Sequence, residues 1–402
     1  MSGNSTAVTD ASRVRLRQRH RRYVITQLRG NFHIMESPLL SSGMRDSLGV
    51  IQSLMLAGQE CFAQGMFREA EAAYRRVTEL DPAHAGAWSN LGTILGLQNR
   101  PIEAEAACRR ATELNPTDAV AWYNLGTALG HQNRYPEAEV ASRRAVELNP
   151  THTGALFNLG TSLERQKRYP DAETACRRAT ELNPKYAEAW AELGTVLFEQ
   201  HKFPSAEAAF RCAIELDPTD ADSWYNLSTL LSRQSRHREA EAAARRATEL
   251  NPTHAGSWFS LGVALGGQNR IPETEVPYRR AIEHDPKLPL AWTGLGNALA
   301  FQNRISEAEA AYRRAIEIDP RLTVAWTGLG NSLSDQKRHS EAETAFRRAT
   351  ELDPRHPLGW LGLGGALFYQ NRRSEAEAAF RRTTDLEPRL RGVVERFMRT
   401  PK

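Results

Sequence analysis

Eight tryptophans occur in this chain, and all eight fall at one phase of a 34-residue period: Trp88, Trp122, Trp190, Trp224, Trp258, Trp292, Trp326 and Trp360. Leu156 fills the one vacant beat. A fixed period of this size means a stack of like units, because one such unit is too small to bury its own apolar face. The repeat therefore constrains the fold more than any local motif, and it restricts the function to surfaces that a stack can offer.

Counting the Trp as position 4, the register runs without insertion through ten units: 51–84, 85–118, 119–152, 153–186, 187–220, 221–254, 255–288, 289–322, 323–356 and 357–390. Position 7 is Leu from Leu91 to Leu363, with Ala57 in the first unit. Position 8 is Gly except at Ser228, position 20 is Ala except at Thr274, and position 32 is Pro throughout, from Pro82 to Pro388. Within one unit, Trp88, Leu91, Gly92 and Leu95 follow the i, i+3, i+4, i+7 spacing of one helix face. Ala104, Ala107, Cys108, Ala111 and Leu114 form a second such stripe. Gln98-Asn99-Arg100-Pro101 separates the two, and Asn115-Pro116 ends the second, since the residue before Pro is pushed out of the α region. Each unit reads as a helical hairpin. Small residues at positions 8 and 20 let the helices approach, so Ser228 and Thr274 are expected to mark looser joints.

The pattern W-x2-L-G-x2-L, followed by Ala, Ala and Pro, closely resembles the tetratricopeptide repeat family, and the match covers 340 of 402 residues. The resemblance implies an all-α fold, a right-handed superhelical solenoid of ten helix-turn-helix repeats. Its ends need caps. Leu390, Val393, Val394 and Phe397 repeat the helical spacing, so residues 389–402 read as a capping helix and tail. The first unit, with Leu54 and Ala57 at the signature positions, reads as the atypical opening repeat. Pro277 lies inside the second helix of the seventh unit, where a proline costs about 3 kcal/mol or more. A kink there would divide the array.

Composition adds exclusions. No apolar run approaches the roughly 18 residues that span a membrane, and no secretory leader is evident. Four cysteines, at 61, 108, 176 and 212, have no metal-ligand spacing, and three of them sit at core phases. The expectation is a soluble intracellular, cytoplasmic protein without disulfides. Eleven His are scattered, with His84, His152, His254 and His356 all in the loop phase between units. No catalytic, cofactor-binding or metal constellation is present, so no enzyme activity is expected.

The net charge of +4 is unevenly placed. Residues 1–36 hold seven Arg against Asp10 and Glu36, which leaves the rest of the chain with 45 basic and 46 acidic side chains. Residues 1–50 read as a basic segment without fixed structure. Its Arg-rich run, Arg13 to Arg22, suits an anionic polymer or membrane, an organelle transit segment, or an over-extended start upstream of Met35. An Arg doublet at positions 25 and 26 also recurs, as in Arg109-Arg110. Glu four residues earlier, as in Glu105, neutralises it at the favourable i,i+4 spacing, so nucleic acid is disfavoured as a partner.

The family resemblance implies that the first helices line a concave groove. Position 6 there carries Asn90, Asn124, Asn158 and Asn226, with Glu192 in the fifth unit, and position 9 carries Thr93, Thr127, Thr161 and Thr229. Position 5 adds Tyr123, Phe157, Tyr225 and Phe259. An Asn amide offers two donors and an acceptor, so a row of them can pair with the backbone of an extended peptide whatever its sequence. The aromatic rings would supply contact area beside it. Beyond the sixth unit Gly294, Gly328 and Gly362 take position 6, while Asn297 and Asn331 move to position 9. The expected partners are extended segments of other proteins. The Asn row resembles the repeat region of the glycosyltransferases that add N-acetylglucosamine to nuclear and cytosolic proteins, which implies an alternative role as the recognition arm of such an enzyme on another chain. A carboxylate clamp is excluded, because positions 2 and 5 carry no basic pair and a buried carboxylate would go unpaired.

Overall fold

The computed structural model describes residues 42–399, and the basic segment ahead of Met35 lies outside the described residues. Among them the secondary structure is entirely helical. The helices form two compact units, one ending at Thr219 and the other beginning at Asp220.

In the first unit a long helix, Ser42–Ala63, pairs with Phe67–Leu80, so residues 42–50 are helical rather than part of an unstructured head. Four further hairpins follow: Ala85–Leu97 with Pro101–Leu114, Ala119–His131 with Tyr135–Leu148, Thr153–Arg165 with Tyr169–Leu182, and Ala187–Glu199 with Phe203–Leu216. In the second unit the first helices begin at Ala221, Ala255, Pro289, Thr323 and Pro357, again every 34 residues. A closing helix, Arg391–Arg399, lays Val394 and Phe397 on the last apolar layer, with the Phe397 ring 5.6 Å from Phe380.

The turn inside each hairpin has one mechanism, and proline is not it. Position 15 is left-handed throughout the described residues, from Gly65 at φ 77° and Asn99 at φ 64° to Asn371 at φ 66°. At the second repeat the Arg100 N–H reaches back to the Leu95 carbonyl at 2.9 Å, closing the end of the first helix. Lys337 holds this conformation at φ 62° on an exposed site. Because a residue with a Cβ is strained there and glycine is not, Lys337→Gly should raise the unfolding free energy by about 0.5–1 kcal/mol. A melting temperature no higher than that of the parent would contradict it.

The two sequence signatures, Trp at position 4 and Pro at position 32, are one device. The Trp88 indole N–H donates to the Pro82 carbonyl at 3.1 Å, and the same six-residue reach recurs from Trp360 to Pro354 at 3.0 Å. The position-34 histidines are not idle loop residues either. The Nδ1 of His84 and of His152 each accepts the N–H three residues on at 3.1 Å, capping the next helix, a task Asp118 performs at the same phase. Burial holds the His152 ring below its ordinary pKa, which keeps the accepting nitrogen unprotonated.

Pro277 departs from expectation. Residues Ile271–Thr274 form a 3-10 turn, and the α-helix restarts as Glu275–His284. Pro277 is thus the third residue of its helix, where the missing N–H has no partner to lose. An apolar core begins at its neighbour Tyr278 and runs to Phe380, with Trp258 and Phe259 of the preceding helix packed against it. Thr274 is buried, with its hydroxyl donating to the Ile271 carbonyl at 2.8 Å.

A polar ladder runs beside the core. Glu139 is 8 % exposed and accepts from Arg143 at 2.8 Å, from Gln166 at 2.8 Å and from Arg168 at 2.8 Å, the last two belonging to the next repeat. Glu309 is held likewise by Arg313, Gln336 and Arg338 in the second unit. Burial alone would raise the Glu139 pKa, but the combined hydrogen bonds from Arg143, Gln166 and Arg168 outweigh it and hold the carboxyl below its usual 4.5. The other Arg of most doublets pairs forward, as Arg144 does with Glu147 at 2.9 Å. The apparent basic stripe is therefore an array of ion pairs.

Candidate functional site

Within each unit the first helices of successive repeats lie side by side, and in the first unit two of the predicted Asn residues meet a predicted Thr between them. The Asn124 amide donates to the Thr93 hydroxyl of the preceding repeat at 2.8 Å, and that hydroxyl donates to the Ser89 carbonyl at 3.1 Å. Asn158 does the same with Thr127 at 2.8 Å, and Thr127 with the Tyr123 carbonyl at 3.0 Å. One N–H of each amide is thus committed to joining repeats, a duty the sequence did not reveal. Asn124 is buried, while Asn158 and Thr127 are half-buried. Asn90 is also half-buried, and it moderates the rise that burial gives the Tyr74 pKa.

The position-5 aromatics serve packing more than the surface. Tyr123 is 4 % exposed with its ring 4.6 Å from His152, and Phe157 is 7 % exposed with its ring 5.4 Å from Tyr186. In the second unit Tyr225 lies edge-on to His254 at 5.0 Å, and Phe259 is 5.9 Å from Tyr278. Asn226 and Thr229 are half-buried there, and the Thr229 hydroxyl donates to the Tyr225 carbonyl at 3.1 Å. Asn297 and Asn331 are exposed, and Asn297 accepts from the Tyr312 hydroxyl at 2.7 Å.

The glycines at position 6 of the later repeats prove to be packing residues. A Cβ on Gly328 would stand 2.4 Å from the Tyr312 ring, and one on Gly362 would stand 2.2 Å from Phe346. Both rings also lie over the position-8 glycine of their own repeat, Gly296 and Gly330. Where the corresponding residue is Ala244, the space is filled from both sides: Ser228 and Ser260 are buried with their hydroxyls 2.8 Å apart. Ser228 therefore marks a filled joint, not a loose one. In the first unit the same place holds Tyr74, Cys108, Ser142, Cys176 and Phe210, and the next repeat then carries Asn, or Glu192 after Cys176.

Among the described residues, no cluster of His, Cys, Asp or Glu has the arrangement to hold a metal ion. No helix among them is long and apolar enough to cross a membrane. Cys108 and Cys176 are buried thiols at core phases.

A sequence model of the tetratricopeptide repeat matches residues 55–119 and 327–389. Models of two domains of cilia and flagella-associated protein 70, its C-terminal domain and its middle TPR-like domain, match residues 155–319 and 114–188. No curated protein matches the chain. Among solved structures, a tetratricopeptide repeat protein from Parabacteroides merdae is 17 % identical, with 62 % of this chain and 99 % of that one covered at a TM-score of 0.48. PilF of Pseudomonas aeruginosa is 20 % identical, with 53 % and 96 % covered at a TM-score of 0.47. YrrB, described as a TPR protein with an unusual peptide-binding site, is 24 % identical, with 49 % and 98 % covered at 0.40.

Proposed function

The chain belongs to the tetratricopeptide repeat family, and from that premise we propose a non-enzymatic scaffold that binds extended segments of other proteins along its first helices. Repeats of this family typically serve protein–protein interaction. The observation that carries the finer reading is the Asn–Thr pairing of the first unit. Each Asn has one N–H fixed to the neighbouring repeat, which leaves a second N–H and the amide oxygen for a ligand. An amide already held in place loses little freedom when a peptide backbone pairs with it, and that lowers the entropic cost of binding. Asn158 is the half-buried member of the pair series and the residue most open to such contact.

The test leaves the fold untouched. Dodecapeptides selected on the full chain from a displayed library are resynthesised with single backbone N-methyl groups. Loss of one N–H donor opposite an Asn oxygen should weaken binding by about tenfold, the worth of one well-made hydrogen bond in a dry site. Failure to enrich any peptide, or affinity indifferent to N-methylation at every position, would reject the proposal.

A further inference from the structure

The Asn–Thr series breaks at the fifth repeat of the first unit, and the break creates a different chemistry. Glu192 stands at the place of Asn124 and Asn158, opposite the Thr161 phase. Thr161 is 7 % exposed, yet its hydroxyl has no hydrogen-bond partner, whereas Thr93 and Thr127 at the same phase are both satisfied. A buried hydroxyl without a partner costs about 1–3 kcal/mol, so this one has a reason to await a donor. One helical turn further, Glu164 Oε2 is also buried without a hydrogen bond. The Arg165 Nε lies 3.2 Å from it, close enough for attraction but off the hydrogen-bonding direction.

The surrounding charge is acidic. Arg165 feels Glu164 and Glu192 together, and Glu164 feels Glu199. Tyr135 and Tyr169 are the neutral groups within the same electrostatic reach. Burial first, and Glu199 second, push the Glu164 carboxyl above its ordinary value, against the pull of Arg165. A metal ion does not suit the arrangement, since the described carboxylates are not set out as a metal-holding group.

We propose that Thr161, Glu164, Glu192 and Glu199, on the neighbouring helices Thr153–Arg165 and Ala187–Glu199, form a subsite for a cationic side chain, lysine or arginine, of the bound peptide. The inference rests on the peptide-binding reading above and adds selectivity to a backbone-reading surface. An ammonium or guanidinium group supplies N–H donors for Thr161 and Glu164, and a second positive charge beside Arg165 among three carboxylates.

The test uses the full chain and two synthetic peptides, acetyl-Ala-Ala-Ser-Lys-Ser-Ala-Ala-amide and its acetyl-lysine counterpart, which keeps length and removes charge. The lysine peptide should bind about tenfold tighter in low salt, as one charge-assisted hydrogen bond implies. The advantage should vanish in the Glu164→Gln/Glu192→Gln variant and shrink in Glu199→Gln, which alters a single carboxylate and keeps the test open if the double variant misfolds. Equal affinity of the two peptides for the parent protein overturns the subsite and leaves the backbone-reading surface standing. Failure of both peptides, together with failure to enrich any displayed peptide, overturns both.

Discussion

Phe346→Ala is expected to lower the stability of the second unit by about 3–5 kcal/mol, the range for removing a buried aromatic ring. Phe346 is 1 % exposed and lies across two glycines, Gly330 of its own repeat and Gly362 of the next. The informative part is the repair. Adding Gly330→Ser and Gly362→Ser should return about 1–2 kcal/mol, because two Cβ atoms refill the space and two hydroxyls can pair. That is the arrangement Ser228, Ala244 and Ser260 already use. In the parent, the same two serines should instead destabilise by about 1–3 kcal/mol through overpacking, since their Cβ atoms would stand 2.6 and 2.2 Å from the ring. One pair of substitutions would thus change sign with its background, a coupling expected only of residues in contact. Thermal unfolding of the four proteins measures it. Additive effects would refute the account of the joint.

Glu139→Ala is expected to cost about 1–3 kcal/mol, because three donors lose one charged acceptor. Arg143 and Arg168 are roughly half-exposed and can turn to water, which keeps the loss below that of a fully buried pair. The same ladder sets the acid response. Glu139, Glu241, Glu309 and Glu343 all have carboxyls held below the usual 4.5. A depressed folded-state value stabilises the protein above the unfolded value and is lost as pH falls through the folded one. Stability should therefore be flat above pH 4.5 as far as these groups are concerned, and should fall steeply below it. Glu139→Ala should show a shallower fall than the parent. Parallel acid profiles for the two proteins would rule the ladder out as its cause.

Much of this was legible because the repeat period makes each position a tenfold measurement. Trp at position 4 and Pro at position 32 were both evident, yet the hydrogen bond that links them spans a turn whose geometry no pattern displays. Gly296, Gly330 and Ser228 showed that small residues recur, but not what lies over them. That needed residues from three helices: the ring at position 24, the glycine at position 8 and the glycine at position 6 of the following repeat. The signal was present in part, since Gly294, Gly328 and Gly362 each follow Tyr278, Tyr312 or Phe346. An aromatic ring there does not by itself demand glycine, because Tyr74 is followed by Asn90 and Phe210 by Asn226. Pro277 was misjudged because a helix can begin late, and sequence spacing cannot register a turn that tightens. The arginine at position 16 was missed altogether. It looked like part of a turn, and only folding places Arg168 on Glu139, 29 residues back.

The joints also bear on how such a gene can change length. An in-frame loss of residues 119–152 would set Cys108 and Thr93 against Asn158, and Glu105 against Arg168. Each of these pairs reproduces one the chain already makes. Loss of residues 289–322 would likewise bring Tyr278 over Gly328 and Glu275 to Arg338. Joining the repeat that ends after Tyr312 to the one opening at Ala119 would set that ring against Asn124, a pairing of the kind that Tyr74 and Asn90 already make. Unequal crossing-over is thus silent wherever the new joint repeats a pairing the chain already holds, so copy number can drift without any joint having to be invented.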